Sequence, residues 1–323
     1  MMQHQEIISA FGFESQQFAG TSIYAYAPVY CLSKYNKKWI VKRTAVRSSG
    51  VAIATWTSSL ASQKIRVVAP ASDFGENPRS FPSGKENTEE IWVVYPFIEG
   101  SVYQGKISQI QAAGELLGQI HAAGMQNDFG LKVNQTVTAI PKARVDEYVD
   151  KVTKLVRQYF PAAAKIVTAI LTQQTQRYFQ QSLPRLLDIS LPLSNCSWDY
   201  KAENLIYPTD TTPVLVDPDH GGRIPRIYDL AIAVVLFHIN LPTAPARIFT
   251  QTEWMAFLEG YLNSVEFTPQ EYSTWDDVLL CAWIDQVLWL LTHWDEAWQD
   301  VRESKTLMGL LTADLTTFAL SYR

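Results

Sequence analysis

Three side chains between Asn195 and Asp229 have the types and spacing for phosphate and metal chemistry: Asp199, Asn204 and Asp217. Between the last two lie a short apolar run (Leu205 to Tyr207), a turn-rich tract (Pro208 to Pro213) and a second apolar run (Val214 to Val216). That order reads as a β-hairpin. Pairing Leu205 with Val216 and Tyr207 with Val214 sets Asn204 opposite Asp217 at the open end. Opposed residues have Cβ atoms roughly 4.5–5.5 Å apart, so the amide oxygen and the carboxylate are placed to share one hard cation. Magnesium takes oxygen ligands and usually arrives with substrate phosphates. Asp199 lies on the loop leading in.

Asp199-x4-Asn204 followed by Asp217 resembles the catalytic and metal-binding loops of the aminoglycoside phosphotransferase family, small-molecule kinases built like protein kinases. The family's usual His-Gly-Asp-x4-Asn has Ser197 and Trp198 at its first two positions here. The segment VDPDHGGRIPRIYDLA resembles the family's Asp-x-Asp stretch with its following Asp-Leu-Ala, here Asp229, Leu230 and Ala231. The resemblance implies an α+β, two-lobed protein-kinase-like fold. A small β-sheet lobe would cover residues 1–95, a linker 96–100, and a mainly helical lobe 101–323 would carry the catalytic and acceptor sites. It implies ATP (or GTP) and Mg2+ as cofactors. Asp199 would be the catalytic base, and Asn204 and Asp217 the metal ligands. Asp229 would hold the catalytic loop structurally, and Ser197 would take over part of the bracing done by the family's His.

The elements that must position these groups follow from periodicity. Ser22 to Tyr30 and Trp39 to Lys42 read as strands joined by a turn at Tyr35-Asn36-Lys37. In a kinase-like fold the third strand carries a lysine for the nucleotide phosphates, and the WIVK run makes Lys42 the candidate. The glycine-rich loop is reduced to Gly20-Thr21-Ser22, with Ser22 as a phosphate contact. Ser48 to Ser62 is the expected helix behind the sheet, yet it contains no glutamate to pair with Lys42. Ile65 to Pro70 is a strand candidate, Asp73 to Thr88 an exposed loop, and Ile91 to Tyr95 a buried strand. Phe97 follows, where the resemblance puts the linker that meets the base.

From Ser108 the spacing turns helical, and His121 falls on the apolar face as a hydrogen-bonded core histidine. Two more helices are expected over Arg144 to Tyr159 and Ala162 to Phe179, and a buried one over Ile227 to Leu241. Val278 to Trp294 is apolar almost all round, the mark of a buried helix. Asp285 lies within it and needs a partner, either a structural Arg or Tyr or a substrate amine. Asp276 and Asp277 are further acceptor candidates, or simply capping residues.

Composition bounds the partners. With 47% hydrophobic and 18% charged residues among 323, disorder is unexpected. A net charge of −5 gives no case for nucleic-acid binding. Cys31, Cys196 and Cys281 are too far apart for a disulfide framework or zinc site. No apolar run reaches the roughly 20 residues needed to span a bilayer, and a reducing cytoplasm is the expected setting. Acids are absent from Ser15 to Ser72, while they outnumber bases after Asp199. The first bias suits phosphate and the second a cationic, amine-bearing acceptor such as an aminoglycoside. Kinases of choline, methylthioribose or homoserine type stay open, as does a nucleotide-binding pseudokinase without turnover.

Overall fold

Alternation of apolar residues builds the first sheet. The structure, a computed structural model, describes residues 4–14, 20–24, 27–83, 89–136 and 138–320, and the backbone alone of 45–48. A short helix α1 (His4–Ala10) precedes strands β1 (Val29–Lys34) and β2 (Lys37–Val46), then helix α2 (Arg47–Ser62) and strands β3 (Arg79–Pro82) and β4 (Glu89–Pro96). The antiparallel order is β1-β2-β4-β3. Tyr35 and Asn36 turn the first hairpin with φ of 55° and 56°, the two left-handed residues that a tight hairpin turn requires.

Side chains alternate across β2. Trp39 and Val41 join Tyr30, Leu32, Trp92 and Ile8 of α1 in one core. Ile40 packs on the opposite face with Val68, Ile91, Val93 and Tyr95. Lys42 shares the face of Ile40 by the two-residue period, which turns its ammonium toward the second lobe.

Three expectations shift. The first strand begins at Val29 rather than Ser22. Asp73 to Thr88 contains the edge strand β3, too short to show alternation. Ile65 to Pro70 forms no regular strand; it makes a single bridge, Val67 to Leu215, with the Val68 N–H donating to the Leu215 carbonyl at 2.9 Å.

The second lobe is mainly helical. In chain order it comprises β5 (Ser101–Val102), α3 (Ile107–Gly124), α4 (Lys142–Tyr159), α5 (Ala164–Arg177), α6 (Leu183–Asp188), β6 (Leu193–Cys196), β7 (Leu205–Tyr207), β8 (Val214–Leu215) and β9 (Gly222–Pro225). There follow α7 (Arg226–Leu236), α8 (Gln251–Tyr261), α9 (Pro269–Ala282), α10 (Leu288–His293) and α11 (Val301–Leu311). A π-helical turn, Trp283–Val287, joins α9 to α10, so the expected apolar helix is one continuous rod with a bulge. Thr250 with Glu253 and Thr268 with Glu271 start α8 and α9 as capping boxes. Helices α3 and α8 meet backbone to backbone: a Cβ on Gly114 would lie 1.9 Å from the Phe257 carbonyl oxygen. His121 is buried between the Tyr261 hydroxyl and the Asp229 carboxylate, each at 2.9 Å, the expected core histidine.

Just beyond α7, His238 ties this core to the site. Its Nε2 lies 3.0 Å from the Tyr103 hydroxyl and its Nδ1 2.9 Å from the Arg247 carbonyl. The preceding carbonyl, that of Phe237, accepts the Ala202 N–H at 2.9 Å. Burial pulls the His238 pKa down to about 4, against the opposing pull of the Arg247 carbonyl and Glu253. The unfolded chain therefore takes up this proton near pH 6.5 and the folded chain does not. Its contribution is complete above that pH and lost as pH falls toward 4. The loss is at most about 3 kcal/mol. Urea unfolding of the wild type and His238→Gln should show their stability difference change by up to that amount between pH 7 and 4; a constant difference contradicts it.

Candidate active site

The loop that carries the Asp-x4-Asn motif runs from β6 to β7 and is pinned from several sides. The Asn195 amide donates to the Gly124 and Asn127 carbonyls at 2.8 and 2.7 Å. The Tyr200 hydroxyl donates to the Ala113 carbonyl at 2.8 Å. Trp198 adopts φ 58° and lies flat against Gly222, where a Cβ would come within 2.5 Å of its ring. Ser197 is buried, and its hydroxyl has no hydrogen-bond partner. The bracing expected of it comes from Asn195, Tyr200 and Trp198 instead. Asp229, in the first turn of α7, accepts from His121 through one oxygen, while its other oxygen is unpartnered.

The hairpin register differs from expectation by one residue. Leu205 faces Leu215 and Ile206 faces Val214, and the Val216 N–H donates to the Asn204 carbonyl at 2.9 Å. Tyr207 is drawn into pairing with Ser101 of β5 on the other edge, a competing partner invisible in the local sequence. Asn204 is thus opposite Val216 rather than Asp217, although both site residues still line one cleft. The Asn204 amide nitrogen donates to the carbonyl and to Oδ2 of Asp199, at 2.9 and 3.0 Å. That orients the Asp199 carboxylate and leaves the Asn204 amide oxygen for another partner.

Lys42 reaches across from β2 to the loop after β8. Its ammonium lies 2.7 Å from Asp217 Oδ1 and 2.8 Å from Asp219 Oδ2. Burial works against its charge, but the Asp219 and Asp217 carboxylates win and raise its pKa. Asp219 is itself shifted upward by burial, against the pull of Lys42. The acid missing from α2 is therefore supplied by the loop after β8. One other group escaped the sequence reading. Lys201, little exposed, lies 3.2 Å from Asp199 Oδ1 and 3.5 Å from Glu203 Oε2, and these two carboxylates raise its pKa against burial. A lysine set between two acids inside the Asp-x4-Asn motif was the available signal.

Several of these groups border a cavity of about 380 Å3 between the lobes. Its polar end carries Lys42, Asn204, Asp217 and Glu203, and its apolar end Val29, Ile40, Val68 and Phe97. The Lys38 ammonium lies 5.2 Å from the Phe97 ring centroid. Ser22 does not line this cavity; its hydroxyl is spent on its own loop, donating toward the Ala27 carbonyl at 2.7 Å and accepting the Val29 N–H at 3.0 Å. The proposed acceptor acids lie elsewhere. Asp276 and Asp277 line a separate cavity with Arg177 and Arg185, and Asp277 accepts from Ser182 at 2.7 Å and Arg185 at 3.1 Å. Asp285 accepts from the Tyr228 hydroxyl at 2.8 Å and the Gln286 amide at 2.8 Å, the structural alternative for a carboxylate in that helix.

A divalent cation fits the donor set. Asn204 and Asp217 offer hard oxygens, and the Lys42 ammonium at 2.7 Å shows that the Asp217 carboxylate already draws a cation.

A small antiparallel sheet over a helical lobe, with a lysine facing an Asp-x4-Asn loop, defines a phosphotransferase of protein-kinase-like fold. The chain belongs to the phosphotransferase enzyme family, whose model matches residues 26–275. Among solved structures it is similar to an amicoumacin kinase in complex with AMP-PNP, Ca2+ and Ami, at 18% identity and TM-score 0.62 over 96% of this chain and 92% of that one. It is similar to a microcompartment-associated aminopropanol kinase at 14% identity and TM-score 0.66, over 95% and 94% of the two chains. A spectinomycin phosphotransferase in complex with ADP and spectinomycin matches at 14% identity and TM-score 0.57, over 98% and 92%. Comparison with curated proteins finds no match.

Holding Lys42 from Asp219 has a kinetic consequence. Asp219→Asn should lower kcat/KM for nucleotide about ten-fold, roughly 1.4 kcal/mol, mainly through KM. Asp219→Glu should restore part of the loss. Equal kinetics in all three proteins would remove Asp219 from this role.

Proposed function

We propose that the protein transfers the γ-phosphoryl group of ATP (or GTP) to a hydroxyl of a small, amine-bearing molecule. The observation that carries the reading is the meeting of Lys42, Asn204 and Asp217 at the polar end of one interlobe cavity, with Asp199 hydrogen-bonded to Asn204. The nucleotides named with the similar kinases support the choice of donor. The base lies in the apolar end near Phe97, and the phosphates reach the polar end. Mg2+, held by Asn204 and Asp217, would supply charge neutralisation on those phosphates.

Asp199 accepts the proton of the acceptor hydroxyl or orients it. Asn204 fixes that carboxylate through its amide N–H. Lys42 contacts the phosphates, while Lys201 brings a second positive charge to the side of Asp199 where the phosphoryl group arrives. Phosphoryl transfer asks mainly for positioning and preorganised charge, and these four side chains provide both.

The test is ADP release with Mg2+ and ATP across a panel of amines and small alcohols. Asp199→Ala should retain the wild-type fold by circular dichroism and lose at least about 100-fold in turnover. Unchanged turnover sinks the assignment. Nucleotide binding with no turnover in the wild type would favour the pseudokinase.

A further inference from the structure

We infer that the acceptor is a flat, largely apolar alcohol carrying at most one amine, held by a tryptophan-lined cavity beside the catalytic loop. The inference rests on the phosphotransferase reading and concerns the other half of the same cleft. A cavity of about 390 Å3 is walled by Tyr24, Glu203, Asn240, Trp289, Trp294 and Glu303, among others. Tyr24 and Glu203 also line the nucleotide cavity. The two cavities therefore share a wall at the catalytic loop, where Glu203 adjoins Asn204 and contacts the same lysine as Asp199. A molecule in the second cavity lies against Glu203, and Lys201 bridges Glu203 to Asp199.

The wall is aromatic. Trp289 is 47% exposed and Tyr24 41%. The Trp289 indole stacks on the His293 ring with centroids 4.7 Å apart and planes 19° from parallel, so one ring face is already engaged. Flat rings gain offset-stacking energy beyond their buried area, and an ammonium over an indole gains cation–π attraction. The opposite wall is rigid. The Arg302 guanidinium donates to the Leu241 and Ala244 carbonyls at 3.1 and 2.8 Å, fixing the turn that holds Asn240 at φ 65°.

The charge pattern limits the ligand. Among the described residues, Glu203 and Glu303 are the carboxylates lining this cavity, and each already has a base. Glu203 lies 3.5 Å from Lys201, and Glu303 lies 2.6 Å from Arg302. Each ammonium taken from water needs a counter-charge. Asp276, Asp277 and Asp285 do not border this cavity. A sugar carrying several ammonium groups would leave most of them without a counter-charge, whereas a flat ring with a single amine asks for a share of one carboxylate only. In the transfer itself, the acceptor oxygen bonds the γ-phosphorus and the bond from that phosphorus to the β–γ bridging oxygen breaks. ADP departs, and the hydroxyl proton passes to Asp199.

The experiment measures ADP release by the full chain with Mg2+ and ATP against tryptophanol and phenylalaninol on one side and kanamycin A on the other. Acceleration by the aromatic amino alcohols and not by kanamycin is expected. Trp289→Ala and Trp294→Ala, with melting curves like the wild type, should each raise KM for those alcohols about ten-fold and change kcat far less. Kanamycin as the equal or better acceptor overturns the inference. So does an unchanged KM in both variants, and so does a lack of response to either class while Mg2+-dependent ATP turnover persists. Absence of both nucleotide binding and ATP turnover would instead bring down the phosphotransferase reading beneath it.

Discussion

The ammonium of Lys42, held between Asp217 and Asp219 at 2.7 and 2.8 Å, is the interaction on which the rest of the site depends. A cation this little exposed is costly unless it is paired. Helix α2 offers no acid. It contributes bulk instead: Trp56 is fully buried, and a Cβ on Gly221 would come within 2.9 Å of its ring. The helix thus packs directly onto the loop that carries the two carboxylates. One lysine in turn holds together two acids that would otherwise repel each other. Strand β2, helix α2 and the loop after β8 are therefore a single mechanical unit. That unit joins the lobes at the polar end of the interlobe cavity.

Much of this was legible in the residue order, and the failures share a cause. The resemblance to a kinase-like fold singled out Lys42 at the end of the WIVK run, and the Asp199-x4-Asn204 motif marked a loop whose ends hydrogen-bond each other in the structure. The 3.6-residue period located α3 and its buried histidine. What escaped was competition from partners distant in the chain. Tyr207 pairs with Ser101 across the sheet, which slips the hairpin by one residue. Ile65 to Pro70 has strand composition but only Leu215 to lie against. For Asp285 a structural Arg or Tyr and a substrate amine were both open, and the Tyr228 hydroxyl donates to it. Lys201, set between two acids in the Asp-x4-Asn motif, and Asp219, the second acid of the Asp-x-Asp stretch, were given no role, although Lys201 contacts Asp199 and Asp219 holds Lys42.

The acidic bias of the second lobe illustrates the same point. Counting carboxylates suggested a cationic, amine-bearing acceptor such as an aminoglycoside. Several of those carboxylates are engaged by bases: Glu271 by Arg226, Glu253 by Arg247, Asp277 by Arg185, Asp295 by Lys151. Net charge describes the field around a lobe, while specificity depends on which groups reach the cavity wall. Here that wall is aromatic beside the catalytic loop.

The most direct test of the Lys42 clasp needs no acceptor and no turnover. Mn2+ binding to the nucleotide-free protein is followed by electron paramagnetic resonance, for the wild type and for Lys42→Met. With the lysine sharing Asp217 and Asp219, its removal frees both carboxylates, and Lys42→Met should bind Mn2+ several-fold more tightly. Equal or weaker binding by the variant would mean that Lys42 does not hold the metal loop in solution.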